Sequence, residues 1–289
     1  MKMKMKKALL VGINYIGIPS IQLNGCIHDI INMRNMLIDA YGYESSNIVM
    51  LRDDDPNLLN KPTVDNILRQ LQLLASQSAN LEEIWVHYSG HGSQLPQVGS
   101  DEISGKDQVI IPVDYQSNGV ITDNQLLSIV KSIKCRAFLL FDSCHSGTVC
   151  DLPWSFQCTS NNTYSRTPNN NVVITNPNIF MMSGCRDAQT SADTSNALLN
   201  QSVGAFTNAF IECLRDNQHN ISVMLLYRQI CIKLMTNGYS QVPLLSSSST
   251  NPIYTLNRSK AINLNANPKY TIVNAKYTIQ SMMKSILYP

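Results

Sequence analysis

The chain has 289 residues, a net charge of +2, 44% hydrophobic residues and only 15% charged ones. That length and apolar content allow one large core with extensions. The near-neutral balance, with no basic run beyond Lys2 to Lys7, argues against nucleic acid as a partner, and no stretch approaches a membrane span. Eight cysteines without a secretory signal or a Cys-x-x-Cys pair read as reduced thiols of a cytoplasmic protein.

In chain order, Ala8 to Ile13 is an apolar strand, predicted to be buried. Gly25 to Tyr41 follows as a helix with a broad apolar face that includes Ile27, Ile30, Met33 and Leu37. Ile48 to Leu51 is a second strand, and Thr63 to Ser76 a second helix with Pro62 just ahead of it. Glu83 to Tyr88 is a third strand, ending in Ser89-Gly90-His91-Gly92-Ser93, where the glycines let the backbone turn. Gln94 to Gln108 reads as a polar loop. Val109 to Asp114 reads as a strand that Pro112 ends or pushes to an edge. Asn124 to Val130 is a short helix capped by Thr122 or Asp123.

The run from Ala137 to Gly147 organises the rest. Five apolar residues, Ala137 to Phe141, make a strand buried on both faces, and Asp142, Ser143, Cys144 and His145 follow at its carboxyl end. Ligands bind beyond that end of the strands in open α/β sheets. A free thiol needs a base to become a thiolate near neutral pH, and His91, at the end of another strand, is the candidate. His91 would take the proton and Cys144 attack a carbonyl, while backbone N–H groups of Gly92 and Cys144 hold the oxyanion. Strands alternating with helices call for a mostly parallel sheet with right-handed crossovers.

After Asp151 the composition shifts. Trp154 to Asn178 is rich in Asn, Ser and Thr and is predicted to be a long exposed loop. A strand at Ile179 to Met182, helices at Gly204 to Leu214 and Ser222 to Met235, and a strand at Ile253 to Leu256 complete the pattern, with Ser246 to Thr250 as a connector. The expected organisation is a catalytic domain over 1–258 and an extension over 259–289.

Lys7 to Asn14, Gly25-Cys26-Ile27-His28-Asp29, His87 to Gln94, Ile111-Pro112-Val113-Asp114, Phe141 to Gly147 and Ser183 to Asp193 together resemble the metacaspases, in order from about Lys7 to about Leu256. The resemblance implies a caspase-like three-layer αβα sandwich around a central, mostly parallel sheet. It implies a cysteine endopeptidase with a His91–Cys144 dyad that cuts protein or peptide substrates after Arg or Lys. It also implies a large region (1–151) and a small region (179–258) flanking a processable loop (152–178), calcium activation and a monomer, and no prodomain is expected ahead of Lys7. By the same resemblance Cys26, Asp29, Ser89 and Asp142 line the specificity pocket. Two carboxylates in one pocket repel unless a cation lies between them, which suits a guanidinium or ammonium group. The calcium positions match Asp107, Thr122, Asp123 and Asp151, with Thr122 standing where one of a pair of acids is expected. Self-processing is expected after Arg166, the only Lys or Arg between Asp151 and Asn178.

Blander readings stand beside these. Cys26 alone is helix packing, Asp29 a first-turn acid facing the helix dipole, and Asp107, Asp123 and Asp151 loop acids or a helix cap. His28 and His145 read as bystanders. An inactive homologue acting as a binding module, or a peptide ligase using the same dyad, are the alternative functions.

Overall fold

Near-continuous burial along the central strands, covered on both faces, sets the architecture. In the computed structural model, residues 5–96, 106–143, 150, 152–159, 163–169, 172–184 and 199–259 are described. Among them, β1 (Met5–Gly12), β2 (Ile48–Arg52), β3 (Leu81–Ser89) and β7 (Arg136–Asp142) pair in parallel in the order β2-β1-β3-β7. β10 (Ile179–Ser183) adds a fifth parallel strand beside β7. Antiparallel β12 (Leu244–Ser247), β8 (Trp154–Cys158) and β9 (Tyr164–Pro168) extend that side to an eight-stranded sheet.

Successive side chains point to opposite faces of the sheet. Ala8 and Leu10 of β1 and Phe138 and Leu140 of β7 enter one core with α1 (Cys26–Tyr41), α5 (Leu199–Asp216) and α6 (Val223–Thr236). Leu9, Val11, Leu139 and Phe141 enter the other, with α2 (Val64–Gln77) and α4 (Asp123–Val130). The result is the expected αβα sandwich. In the first core Phe138 stacks on Trp85 with centroids 4.6 Å apart and lies 5.8 Å from Phe210. Such aromatic pairs each add about 0.5–1.5 kcal/mol beyond the area they bury. Among the described residues no helix is long and apolar enough to cross a membrane.

The ends of the elements explain the early motif. Asn14, just past β1, accepts from the N–H groups of Cys26 (3.0 Å) and Ile27 (3.4 Å) through its side-chain oxygen. It thereby satisfies orphan donors at the start of α1. Asp53 accepts from the N–H groups of Asn14 and Ile16 and holds the intervening turn.

Several expectations change. Gln94 to Gln108 is not simply a loop: β4 (Gly92–Pro96) and β5 (Lys106–Ile110) pair as an antiparallel ribbon, joined by β6 (Ile121–Thr122). The strand expected at Val109 to Asp114 therefore ends at Ile110, two residues before Pro112; a four-residue helix, α3 (Tyr115–Asn118), follows. Trp154 to Asn178 contains the β8–β9 hairpin, and part of the Ser246 to Thr250 connector belongs to β12. The strand expected at Ile253 to Leu256 shortens to β13 (Thr255–Leu256), paired with β11 (Ile221–Ser222).

Candidate active site

The register of β3 against β7 positions the site. Ser89 and Asp142 are direct ladder partners, and the Gly90 N–H donates to the Asp142 carbonyl at 3.3 Å. Two residues beyond each partner come His91 and Cys144. Cys144 and His145 lie outside the described residues, as does Asp151.

His91 is held at its backbone and its ring. Its N–H donates to the Tyr15 hydroxyl at 2.9 Å, and its carbonyl accepts from the Tyr88 hydroxyl at 2.7 Å. Tyr15, at a left-handed φ of 53°, lays its ring 4.7 Å from the imidazole centroid. Gly90 is required here: a Cβ would stand 2.7 Å from the Tyr88 hydroxyl oxygen. The imidazole Nε2 lies 2.8 Å from the Ile21 carbonyl. A carbonyl only accepts, so Nε2 carries the proton and Nδ1 is left as the base. Burial lowers the pKa of the ring, partly opposed by the Ile21 carbonyl. It is therefore neutral, as a base must be. Gly92 opens β4 immediately after it.

The acidic residues lie on the same sheet edge. Asp29 is 3% exposed in the first turn of α1, and its Oδ2 accepts from the Ser89 hydroxyl at 2.8 Å. Burial raises its carboxyl to about 6, against the pull of the Ser89 hydrogen bond and of His28. Asp142, also 3% exposed, accepts at Oδ2 from the Thr207 N–H (2.9 Å) and hydroxyl (2.7 Å). Asp29 opens into a recess of about 470 Å³ with Gly25, His28, Asn32, Gly204, Asn208 and Tyr239. A Cβ at Gly204 would lie 3.4 Å from Asp29 Oδ1, so glycine there leaves that oxygen uncovered.

Of the expected pocket residues, Asp29 lines the recess and Ser89 braces it, whereas Asp142 is absent from the lining and is joined to it through its ladder partner Ser89. Cys26 is fully buried in the second core and is absent from the lining; burial pushes its thiol well above the usual range. His28, expected as a bystander, is a lining residue. The contribution of α5 was not anticipated. Gly204, Thr207 and Asn208 recur at helical spacing, and this small-polar stripe beside the apolar Ala205, Phe206, Ala209 and Phe210 is the sequence signal for it.

The calcium positions come together only in part. Asp123 is fully buried as the first residue of α4, accepting from the N–H groups of Gln108 (2.6 Å) and Asn124 (2.7 Å). The first bond brings it to the backbone one residue from Asp107. Asp107 Oδ1 is buried without a hydrogen-bond partner. Thr122 forms a capping box with Gln125, its hydroxyl accepting from the Gln125 N–H, so that side chain serves α4. Among the described residues no cluster of three His, Cys, Asp or Glu side chains is placed to hold a metal. Arg166 lies in β9 opposite Phe156; its guanidinium donates to the Thr250 carbonyl (3.1 Å) and hydroxyl (2.7 Å) and rests over the Trp154 ring.

Comparison with known proteins places the fold and the family. Two solved structures have the same fold. One is a Geobacter sulfurreducens protein with a TM-score of 0.57, 18% identity and coverage of 86% of this chain and 94% of that one. The other is caspase-1 from Spodoptera frugiperda, with a TM-score of 0.54, 14% identity and coverage of 87% and 90%. Metacaspase-1 of Saccharomyces cerevisiae is 35% identical over 293 residues, covering 84% of this chain and 66% of the relative. For metacaspase-1A of Neurospora crassa the figures are 34% over 292 residues, 84% and 63%. Metacaspase-1B of Neosartorya fischeri is 35% identical over 288 residues, covering 84% and 69%. The chain thus spans about two thirds of the length of the curated relatives it matches. A family model described as "Metacaspase, peptidase C14 domain" matches residues 6–153, and the chain belongs to the metacaspase family.

Proposed function

We propose that the protein is a cysteine endopeptidase that cuts after Arg or Lys. His91 Nδ1 accepts the Cys144 thiol proton, the thiolate attacks the substrate carbonyl, and the N–H groups of Gly92 and Cys144 receive the oxyanion. His91 returns the proton to the leaving amine, and a water then releases the acyl group. The Ile21 hydrogen bond, which reserves Nδ1 for the thiol, supports this division of roles. One observation carries the specificity: a buried carboxylate, Asp29, braced by Ser89 at one oxygen and left uncovered by Gly204 at the other, faces a polar recess. A basic side chain supplies the countercharge that such a group lacks. Fluorogenic peptides ending in Arg, Lys or Asp, given to wild type and Cys144→Ala, test the proposal. Turnover of Arg and Lys peptides that is lost in Cys144→Ala is expected. Preference for Asp, or turnover that survives the substitution, contradicts it.

Calcium is proposed as the activating ion, with Asp107 and Asp123 among its ligands. The support is the buried, unpartnered Oδ1 of Asp107, an oxygen of the kind a hard cation takes. Bound there, the ion would neutralise the acids and brace the β4–β5 ribbon that follows His91. Self-processing after Arg166 would require β9 to leave β8 and the guanidinium to leave Thr250. The β8–β9 hairpin also covers β12, which supports a monomer.

A further inference from the structure

Behind Asp142 lies a buried chain of polar groups for which the dyad has no use. Thr207 is fully buried on α5 and directs both its N–H and its hydroxyl at Asp142 Oδ2. With its one hydroxyl proton given to the carboxylate, Thr207 can only accept from His87, whose Nε2 lies 3.2 Å away. His87 thus carries its proton on Nε2. It is fully buried, its Nδ1 has no hydrogen-bond partner, and burial drives its pKa down to about 3, so it stays a neutral donor. Leaving an imidazole nitrogen buried and unpaired costs stability. An apolar residue in the middle of β3 would avoid that cost, so the ring is present for the hydrogen bond it gives.

We propose that Thr207 and His87 are positioning residues for substrate specificity: the His87–Thr207 chain holds Asp142, which stands behind the recess lining as the ladder partner of Ser89, in one orientation as a second anion for a basic substrate side chain. Three features fit. The two donors of Thr207 converge on a single oxygen, which fixes the plane of the carboxylate. Ser89, the ladder partner of Asp142, braces Asp29, so both acids are tied to the same strand end. Gly204 and Asn208, which line the recess beside Asp29, stand on α5 within four residues of Thr207. The same helix therefore holds Asp142 and borders the recess of Asp29. The inference rests on the reading of the recess as the site of a basic side chain.

The test compares kcat/KM for two matched peptides, one ending in Arg and one in citrulline, which has nearly the same shape without the charge. Wild type should favour Arg. In Thr207→Val the Arg value should fall about tenfold, the loss expected for one hydrogen bond to a charged group, while the citrulline value stays within about twofold. Thr207→Ser should restore the wild-type ratio. His87→Leu should lower the ratio in the same direction, by less. A merely structural role would lower both peptides together, and that result overturns the proposal. A Thr207→Ser ratio as poor as that of Thr207→Val does so as well. A His87→Leu ratio equal to wild type removes His87 from the chain. Wild type indifferent to the charge instead defeats the underlying reading, and it is seen before any variant is made.

Discussion

Replacing Asp29 with Asn removes the charge from the recess while keeping the shape. Two unit charges about 4 Å apart interact by about 4 kcal/mol at the effective dielectric of ~20 that suits protein sites. Part of this is offset because the incoming guanidinium sheds water. A net loss of about 2–3 kcal/mol matches a hydrogen bond to a charged group and corresponds to about 30- to 150-fold in kcat/KM. Stability should move differently. The Asp29 carboxyl is raised by burial to about 6 from its usual 3.8, so ionising it opposes folding, and that cost is fully present above about pH 6. The Asn variant should therefore melt no lower than wild type at pH 7, with Ser89 still donating to the amide oxygen. The assay is kcat/KM on Arg and citrulline peptides beside a thermal melt. An equal fall for both peptides, or a fall accompanied by a lower melting temperature, would refute the electrostatic account.

Three further outcomes follow from the same geometry. For Arg peptides kcat/KM should decline as pH falls through about 6, because Asp29 gains its proton there. The decline should move to lower pH in Asp29→Asn, and an unmoved decline assigns it to another group. Asp107→Asn should raise the calcium concentration needed for half-maximal activity by about tenfold, the loss of one charged ligand; an unchanged titration excludes Asp107 from the ion's site. Thr250→Ala, which removes one anchor of Arg166, should speed the appearance of a fragment beginning at Thr167, followed by N-terminal sequencing. A fragment beginning elsewhere contradicts the assignment of Arg166.

The parts of the site that sit on single strand ends could be read from the residues alone. β1, β3 and β7 are short apolar runs, and His91, Ser89 and Asp142 follow from where those runs stop. The pocket role of Asp29, Ser89 and Asp142 came only with the family resemblance; by itself Asp29 reads as a first-turn acid of α1. Thr207, Gly204 and Asn208 were not legible in this way. Their partners lie more than sixty residues away, and the apolar period of α5 describes packing rather than the few polar positions that interrupt it. The β8–β9 hairpin and β12 were missed for a related reason. Ser246 and Ser247 are buried strand residues, yet serine-rich sequence carries little strand preference of its own; the neighbouring strands impose it. Thr122 shows the reverse case, where the plain reading as a helix cap describes what its hydroxyl does.

Covalent trapping reads at once whether a reactive thiol is paired with His91 and whether the recess beside it is acidic. A peptidyl-arginine chloromethyl ketone should alkylate Cys144, mapped by mass spectrometry, and leave Cys26, Cys135, Cys150 and Cys213, all buried, unmodified. Labelling should be lost in His91→Ala and should be slow for the matched aspartyl reagent. Labelling spread over other cysteines, or equal rates for the arginyl and aspartyl reagents, would contradict that chemistry.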